Sequence, residues 1–412
     1  MSGEISPQTS ALSPHRTDFL VIGGGIIGIT IALELKKRYR DCSVTVLEKE
    51  QAPGQHASGR NSGVLHAGFY YAANSLKARL TRDGNRELKE YCLRHAIPVN
   101  QCGKLVVAKN EAELAGLDTL FKRGHANSVE VEMISAAEAR TIEPRVRTFE
   151  RALYSPTTAS VSPGDVMQQL GKDLVQEDIR LFTGARYLHH RNNQVVTSQG
   201  SIDAAYIINA GGLYADKIAR DFGFSQDYSI LPFKGLYLYA DAEAGRLATQ
   251  IYPVPDIHNP FLGVHFTITV DGHIKIGPTA IPAFWRENYT GLNGFNWNEF
   301  LEIAGLELKL FLANDFGFRR LAVQEMRKYF RTRLVQLASE MVEGIQERHF
   351  RQWGAPGIRA QLINIHTRRL VMDFCFEGDA KSFHVLNAVS PAFTCAMPFS
   401  RLLVDEIERL SR

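Results

Sequence analysis

The sequence predicts an α/β protein with two domains, one built on a parallel sheet and the other on a mixed sheet. An apolar run that ends at Ile22 stops at glycines spaced G-x-G-x-x-G, and an amphipathic stretch from Ile29 to Arg38 follows it. The β-rich stretches 231–240 and 261–278 alternate between apolar and polar residues, which is typical of an antiparallel sheet. A length of 412 residues suits two domains, because a single core rarely serves so long a chain.

The glycine-rich turn is the best defined motif, and it predicts a Rossmann-type dinucleotide site. Gly23 permits a tight strand-to-helix turn, Gly25 lets the backbone approach a pyrophosphate, and Gly28 allows close packing of helix on strand. The helix that follows presents free N–H groups and a positive dipole end to phosphates. Glu48, with Lys49 beside it, ends the next strand about 20 residues later, where an acid binds ribose hydroxyls.

The composition is that of a globular protein without a membrane span. Hydrophobic residues make up 45% of the chain and charged residues 22%, and a net charge of +3 gives no reason to expect a nucleic acid partner. No apolar run is long enough for a transmembrane helix. The five cysteines form no C-x-x-C pair and, with no signal peptide visible, predict reduced thiols in the cytoplasm. Residues 1–17, rich in Ser, Thr and Pro, are predicted to form a disordered tail.

Periodicity and capping signals give the order of the remaining elements. Helices are predicted over 75–94, 111–125, 162–177 and 303–352, with further helices that begin at Ser135, by a capping box, and at Pro391. Strands are predicted over 43–47, 104–108, 180–208, 358–365, 370–376 and 382–386. The predicted FAD-binding domain is discontinuous (18–95, 150–225 and 354–412), and the predicted substrate domain comprises 96–149 and 226–353.

The choice of FAD as cofactor follows from the motifs that are present. An enzyme that passes electrons from NAD(P)H to a flavin normally needs two dinucleotide fingerprints, and this sequence has one complete fingerprint. A Gly/Ser-rich loop after Glu48, a second strand that stops at glycines, and the start of the last helix are expected to contact the same cofactor. The predicted contacts from these segments are Ser58, Asn61, Ser62, Gly63, Gly211, Gly212, Ser390 (as N-cap) and Pro391.

Several segments of unusual composition lie outside the fingerprint. They are residues 61–71 (NSGVLHAGFYY), 102–105 (CGKL), 251–256 (IYPVPD), 261–267 (FLGVHFT), 357–361 (GIRAQ) and 387–392 (NAVSPA). Through them the chain resembles the L-2-hydroxyglutarate dehydrogenase/oxidase family of the D-amino-acid-oxidase-like flavoproteins, over nearly everything after the tail. The resemblance implies oxidation of L-2-hydroxyglutarate to 2-oxoglutarate on FAD. The chain departs from the family pattern at Leu236, Phe393 and Arg60.

The implied reaction needs a base for the substrate hydroxyl while the C2 hydrogen leaves as hydride. A neutral histidine suits this role because its pKa lies near working pH. His66, His265 and His384 are the candidates, with His66 and His265 ranked slightly ahead. For each of them, a buried structural histidine is the alternative interpretation.

The implied diacid needs cations that fix its carboxylates. Arg359 is the best candidate, since a guanidinium binds a carboxylate through two hydrogen bonds, and it is also expected to act in catalysis. Further substrate contacts are predicted at Tyr71, Lys104, Lys234 and His265, whereas Lys77 and Arg60 suit either the substrate or the FAD phosphates. No metal-ligand spacing is present in the sequence.

The electron acceptor and the rival functions stay open at this point. Oxygen and a membrane quinone both fit as acceptor. Six cations between Arg319 and Arg333, with apolar residues among them, predict either a solvated helix face or a peripheral contact with the inner membrane. The rival functions are a flavin oxidase of another 2-hydroxy acid, an amino acid or an amine, and an FAD-binding protein without activity.

Overall fold

A computed structural model describes residues 12–255 and 261–411, which form four β-sheets and ten α-helices. The helices are α1 (Ile26–Arg38), α2 (Leu76–Arg94), α3 (Leu114–Ala126), α4 (Ala136–Ile142), α5 (Pro163–Gln176), α6 (Ala215–Asp221), α7 (Trp297–Ala313), α8 (Phe318–Met326), α9 (Arg331–Ser339) and α10 (Ala392–Ser411). The strands are β1 (Leu12–Ile22), β2 (Val44–Leu47), β3 (Val64–Leu65), β4 (Val99–Asn100), β5 (Lys104–Val107), β6 (Glu132–Ser135), β7 (Arg151–Ser155), β8 (Ala159–Val161), β9 (Arg180–Phe182), β10 (Tyr187–Arg191), β11 (Gln194–Thr197), β12 (Gly200–Asn209), β13 (Tyr228–Gly235), β14 (Leu238–Tyr239), β15 (Gln250–Pro253), β16 (His265–Ile268), β17 (Ile274–Gly277), β18 (Ile281–Pro282), β19 (Gln352–Trp353), β20 (Gly357–Asn364), β21 (Arg369–Leu370), β22 (Cys375–Gly378) and β23 (Ser382–Asn387).

The first sheet carries the glycine-rich turn at one edge. Its order is β10-β11-β12-β1-β2-β9, with β23 paired to β12 and β22 paired to β23. The strands β9, β2, β1, β12 and β23 are parallel, so their carboxyl ends meet at the same edge. The amide of Gly23 donates to Leu47 O at 2.7 Å, and the amide of Ala210 donates to Ile22 O at 2.9 Å. This edge therefore brings together the three predicted cofactor segments around Gly23, Glu48 and Gly211.

Helix α1 is held against this sheet by a tight backbone approach. A Cβ on Gly28 would lie 1.9 Å from Gly23 O, so only glycine permits the contact. Ile29, Ile31 and Leu35 of the helix are fully buried. Burial of such a side chain stabilises the fold by about 1.5–3 kcal/mol. The sequence prediction of a Rossmann-type turn is confirmed in this geometry.

Two further sheets form what is called here the second part of the molecule. One has the order β19-β14-β17-β16-β15-β5-β7-β6, and the other has the order β18-β13-β20-β21. In the antiparallel pair β13–β20, Phe233 is opposite Arg359 and Lys234 is opposite Ile358. Opposite residues share a face and neighbours along a strand alternate, so Arg359 and Lys234 point to different faces of this sheet. A small sheet, β3-β8-β4, completes the set.

Local signals from the sequence were accurate where a side chain caps a helix. Ser135 and Glu138 form the predicted capping box of α4, and Ser162 Oγ accepts from the Asp165 amide at 3.2 Å at the start of α5. Helix α10 begins at Ala392, one residue after the predicted start at Pro391. All five cysteines are free, as predicted.

Four details differ from the sequence predictions because strand pairing and helix breaks depend on distant or subtle contacts. Residues 12–17, predicted as tail, form the first part of β1 and pair with β12, while residues 1–11 lie outside the described part of the chain. Strands β7 and β20, assigned from the sequence to the FAD-binding domain, pair with strands of the second part. The predicted helix 303–352 is broken at Asn314 and Gly317, which adopt left-handed conformations, and helix α9 ends at Ser339.

Candidate active site

A cavity of about 860 Å³ lies between the carboxyl edge of the first sheet and the strands of the second part. Its walls come from the first turn of α1, the loop 54–66, strands β13, β16 and β20, and the start of α10. Carboxylates line it only near the first sheet, at Glu48 and Asp221, among the residues that the structure describes. The opposite end is lined by His66, His265 and Arg359.

The end near the first sheet has the form that the glycine motif predicts. Glu48 Oε2 accepts from the Gly24 amide at 2.9 Å, and Glu48 Oε1 accepts from the Glu50 amide at the same distance. Burial raises the pKa of the Glu48 carboxyl, and these backbone hydrogen bonds oppose the shift. Gly25 is the N-cap residue of α1, and its ideal Cβ position lies 3.1 Å from Ser58 Oγ. These groups can hold a ribose and a pyrophosphate at the start of α1.

The Gly/Ser-rich loop is fixed by its own hydrogen bonds. Ser58 Oγ accepts from the Ile26 amide at 2.9 Å, so the loop caps α1. Asn61 Nδ2 donates to Ser58 O at 2.7 Å, and Asn61 Oδ1 accepts from the Gly63 amide at 2.8 Å. Gly63 has a φ of +77° and a Cβ there would lie 2.3 Å from Val161 O. Ser58, Asn61 and Ser62 line the cavity, whereas Gly63 is a packing position behind it.

His384 is not brought to the cavity. It is completely buried in β23, where Nδ1 lies 3.2 Å from Asn209 Nδ2 and Nε2 lies 3.1 Å from Ser382 Oγ. Asn209 Oδ1 in turn accepts from the Gly211 amide at 3.0 Å. Burial lowers the pKa of His384 to about 4. The geometry gives His384 the structural role that the sequence left as its alternative, since it braces the loop that presents Gly211 and Gly212 to the cavity.

His265 and His66 both line the opposite end of the cavity. His265 Nδ1 lies 2.9 Å from Gly263 O, and since a carbonyl only accepts, Nδ1 carries the proton and Nε2 keeps a lone pair. The His265 ring stacks on the Tyr252 ring, with centroids 3.7 Å apart. The His66 amide donates to Thr394 Oγ1 at 3.2 Å, and His66 Nδ1 has no partner among the described residues.

Both imidazoles are held neutral by their surroundings. Burial, followed by the charge of Lys104, lowers the pKa of His265 to about 3. Burial, and then the charges of Lys104, His265 and Arg359, hold the pKa of His66 well below its usual range. A neutral imidazole accepts a proton, so either ring can act as a base.

Arg359 supplies a cation with no acidic partner. No carboxylate of the described residues lies within ion-pair distance of its guanidinium, whose Cζ is 5.4 Å from the Phe261 ring centroid. Burial lowers the pKa of Arg359, and the neighbouring hydroxyls of Tyr71 and Tyr237 act in the opposite direction. A guanidinium in this state is available to a ligand carboxylate.

The other predicted cations lie off the cavity or are already engaged. Lys234 points away from the cavity because its neighbours on β13, Phe233 and Gly235, line it. Lys77 Nζ donates to Met372 O at 2.6 Å, and Arg60, which borders the cavity, donates to Gln55 O at 2.7 Å. Lys104 is fully buried behind the cavity wall. Tyr71 is not on the wall but lies beside Arg359 and Ser390.

Sequence reasoning missed two tyrosines of the wall. Tyr252 and Tyr237 line the cavity, and Tyr252 supports the His265 ring. Tyr252 lies in the segment of unusual composition 251–256, and Tyr237 follows Leu236, where the chain departs from the family pattern, and those were the available signals. Of the positions where the chain departs from the family pattern, Phe393 and Arg60 line the cavity, whereas Leu236 does not.

Two clusters in the described residues have a geometry that can hold a cation. Glu50, His56 and Glu287 form the first, and the ammonium of Lys49 lies 2.7 Å from Glu287 and bonds Glu50 as well. Lys49 therefore neutralises that cluster rather than facing the cofactor alone. The second, formed by Asp241, Glu243 and His349, is largely exposed.

The predicted cofactor, FAD, fits the cavity. A volume of about 860 Å³ lies within the range of roughly 300–1,000 Å³ for cofactor and small-molecule sites. The absence of a side chain at Gly25 leaves room at the first turn of α1, and the start of α10 borders the same space through Ser390 and Pro391. Two helix N-termini and a ribose-binding acid thus face one cavity.

The comparison with protein families agrees with this geometry. A family model described as FAD dependent oxidoreductase matches residues 18–406. The L-2-hydroxyglutarate dehydrogenase of Escherichia coli (strain K12) is 34% identical over 401 residues, which cover 95% of this chain and 93% of that protein. The mitochondrial L-2-hydroxyglutarate dehydrogenase of Nematostella vectensis is 34% identical over 424 residues, which cover 94% and 90%.

Solved structures share the fold at lower identity. Dithionite-reduced L-α-glycerophosphate oxidase from Mycoplasma pneumoniae, with FAD bound, superposes with a TM-score of 0.76 at 23% identity, covering 96% of this chain and 95% of that chain. Glycine oxidase from Geobacillus kaustophilus gives 0.71 at 19% identity, with the same coverage. None of the helices over the described residues has the length and apolar character to cross a membrane.

Proposed function

Because this chain belongs to the FAD-dependent oxidoreductase family, and within it to the L-2-hydroxyglutarate dehydrogenases, we propose that it oxidises L-2-hydroxyglutarate to 2-oxoglutarate. The observation that carries the proposal is the group of side chains at one end of the cavity. There, an arginine with no acidic partner among the described residues lies with two neutral histidines, and the described part of the wall between them has no carboxylate. A dianionic 2-hydroxy acid needs a cation to bind a carboxylate and a base to accept its hydroxyl proton, and this end of the cavity provides both.

The residues that would hold FAD are those at the first sheet and at the start of α10. They are Gly23, Gly25, Glu48, Ser58, Asn61, Ser62, Gly211, Gly212, Ser390 and Pro391. When bound, FAD supplies the two-electron acceptor that the oxidation of an alcohol requires. The chain's own residues are left to bind the acid, hold its C2 hydroxyl and remove the hydroxyl proton.

His265 is the better placed of the two bases. Its Nδ1 proton is committed to Gly263 O, so the tautomer is fixed and Nε2 is free to accept the hydroxyl proton. The stacked Tyr252 ring fixes the plane of the imidazole. His66 has no such bond to its ring among the described residues, and we assign it to orienting the hydroxyl.

Arg359 is assigned to a substrate carboxylate. It lies opposite Phe233 in the β13–β20 pair, so a regular strand fixes its position. Tyr237 flanks it on the wall and offers a hydroxyl group to the same carboxylate, whereas Tyr71 lies beside Arg359 off the wall. A charge-assisted, two-point contact of this kind orients the acid as well as binding it.

The test is anaerobic reduction of the purified flavoprotein. L-2-hydroxyglutarate should bleach the visible flavin band, and His265→Ala should slow this step by roughly 10²–10⁴-fold with FAD still bound. Equal bleaching by lactate or by a neutral amino acid would instead support the general flavin oxidase. A preparation that binds FAD and is bleached by none of these acids would contradict the proposed activity.

We also propose a peripheral membrane contact through α7 and α8, which would allow a membrane quinone to serve as electron acceptor in place of oxygen. One side of α7 exposes a row of large apolar side chains, which are Trp297, Leu301, Leu308 and Leu312. Met326 and Phe330, near the end of α8, are exposed as well. Such side chains suit the interface between lipid headgroups and acyl chains.

Several cations of the basic patch that the sequence predicted already bond other residues of the chain. Arg319 Nε donates to Phe311 O at 2.6 Å, Lys328 pairs with Glu325, and Arg331 pairs with Glu347 at 2.9 Å. Arg320 and Arg327 have no ion pair among the described residues. The apolar row is therefore the main support for the proposed contact.

Vesicle sedimentation tests this contact. Wild-type protein should sediment with vesicles that contain anionic lipid, and Leu308→Ser with Leu312→Ser should abolish this. Leu93→Ser is the matched control, since Leu93 on α2 is equally exposed, at 66% against 57% and 64% for Leu308 and Leu312. Binding that the double variant retains, or its absence in wild type, would contradict the contact.

A further inference from the structure

Lys104 occupies an unusual position next to the proposed base. Its side chain is fully buried, and Nζ has no hydrogen-bond partner among the described residues. Aromatic rings surround the ammonium, with Nζ 3.8 Å from the Tyr252 centroid and 5.4 Å from the Tyr70 centroid. The Oε1 atom of Gln250, the residue paired with Lys104 across β5 and β15, also lacks a partner among the described residues.

Lys104 and His265 lie on opposite faces of the Tyr252 ring. The His265 centroid is 3.7 Å from the Tyr252 centroid with the rings 16° from parallel, so His265 covers one face. Nζ of Lys104, at 3.8 Å from the same centroid, cannot share that face and must lie on the other. The strand order agrees, because β15, which carries Tyr252, lies between β5 with Lys104 and β16 with His265.

Lys104 does not bind substrate directly, because the Tyr252 ring separates it from the cavity and Lys104 is absent from the cavity wall. A buried ammonium without an acceptor is costly to the fold, and apolar side chains of similar size would pack there without that cost. Departures of this kind from sound packing occur at functional sites. The position of Lys104 therefore calls for a role in the chemistry of its neighbours.

We propose that Lys104 is a positioning residue which keeps the imidazole of His265, across the Tyr252 ring, and the imidazole of His66 in their neutral, proton-accepting form. The inference rests on the proposed function, because it assigns a role to those histidines. After burial, the charge of Lys104 is the strongest influence that lowers the pKa of each imidazole.

The sign of the effect follows from the charges that face these rings. His265 also faces Lys275 on β17 and Lys328 after α8, and His66 faces Arg359 on β20. All are cations, so each opposes protonation of the imidazole. Burial lowers the pKa of Lys104 itself to about 7, so it is charged at acidic pH, where the histidines would take up a proton. Its removal should therefore let the histidines protonate at a higher pH.

The experiment compares wild type with Lys104→Met, which keeps the length of the side chain and removes the charge. The anaerobic rate of flavin reduction by L-2-hydroxyglutarate is measured against pH. Its acid limb should move up by about one pH unit in the variant. The imidazole signals of His265 and His66, followed by NMR in substrate-free protein, should titrate at a higher pH by a similar amount.

Thermal unfolding separates this role from a structural one. Lys104→Met should be at least as stable as wild type, because no acceptor is left without its partner. Lys89→Met is the matched control, since burial also lowers the pKa of Lys89, but its Nζ donates to Thr157 O and it is not among the charges that act on the histidines. The control should leave the pH profile and both titrations unchanged.

The outcomes distinguish the inference from the function on which it rests. If wild type is reduced by L-2-hydroxyglutarate and Lys104→Met keeps the wild-type acid limb and titrations, the inference is overturned. If wild type is not reduced at any pH, the proposed function falls, and the NMR titrations still decide whether Lys104 acts on the histidines. Lys104→Gln serves as a second variant in case Lys104→Met does not fold. The histidine titrations of whichever variant folds decide whether Lys104 acts on these imidazoles.

Discussion

Replacement of Arg359 by methionine tests the substrate assignment most directly. Methionine reaches about as far as the Nε atom of arginine, so the change removes the charged end of the side chain and keeps an apolar stem. Arg359 borders the cavity, lies beside Tyr71 and Tyr237, and has no acidic partner among the described residues. Its loss therefore leaves no protein carboxylate unpaired, and the fold should tolerate it.

The expected magnitude follows from the contact that is lost. Truncation of one partner of a buried, hydrogen-bonded charge pair costs about 2–5 kcal/mol. Here the other partner is a substrate carboxylate, so the cost weakens the interaction with substrate. A cost of about 3 kcal/mol corresponds to a loss of roughly 10²-fold in kcat/KM. Arg359→Lys keeps the charge but lacks the planar guanidinium, so its kcat/KM should lie between those of wild type and Arg359→Met.

Arg286 offers a matched control with the opposite expectation. Arg286 carries the same guanidinium group as Arg359, but both of its Nη atoms donate to the carboxylate of Asp216, at 2.7 and 2.9 Å. Both side chains of this pair are fully buried. Arg286→Met would leave the buried Asp216 with only the longer contact to Arg220, at 3.7 Å. The free energy of unfolding should then fall by about 3–5 kcal/mol.

The assays are denaturant unfolding and anaerobic flavin reduction under second-order conditions. Arg359→Met should lose activity and keep stability, whereas Arg286→Met should lose stability. Retention of kcat/KM within threefold in Arg359→Met, with FAD bound, would refute the assignment of a carboxylate to Arg359. A large loss of stability in the same variant would show that the guanidinium supports the fold.

Three further predictions concern the cofactor end, the excluded histidine and the response to pH. Gly25→Val should give colourless protein, since its side chain would meet Ser58 Oγ and enter the cavity, and the visible flavin band measures this directly. His384→Leu should lower the free energy of unfolding by about 1–3 kcal/mol, through loss of the contacts to Asn209 and Ser382, while anaerobic flavin reduction is retained. The folded pKa of His265, about 3, lies below its usual 6.5, so its contribution to stability is present above pH 6.5 and is lost as the pH falls. Between pH 8 and pH 5, wild type should therefore lose about 2 kcal/mol relative to His265→Gln in chemical unfolding.

The parts of the fold that the sequence predicted well depend on contacts between near neighbours. The turn at Gly23, the acid at Glu48 and the caps at Ser135 and Ser162 each need a residue type at a fixed short spacing. The prediction of FAD rests on the same local motif together with the resemblance to a family, and the family comparison confirms it.

The site was harder to predict because it is assembled by strand register. From the sequence, Arg359 is the best candidate for a substrate carboxylate and Lys234 a weaker one, but both are expected to reach the substrate. The β13–β20 pairing turns Arg359 toward the cavity and Lys234 away from it. His384 is the direct neighbour of cavity-lining Val385 on β23, so it points to the other face of the strand, where it is buried. Single-residue alternation of this kind is visible only once the pairing partner is known.

The corrected positions of the lysines change the explanation for a dicarboxylate substrate. The sequence suggested two cationic clamps, with Lys104 or Lys234 as the second, but neither reaches the cavity. Arg359 is therefore the one direct cationic contact at the reacting end of the described cavity wall. We infer that the second carboxylate is favoured by the positive potential of Lys104 and Lys77, which lie off the wall near His66 and Arg359, and by the lack of acids at this end of the described wall. Such an effect acts through buried space, where salt screens it little, so preference for the diacid should persist at high ionic strength.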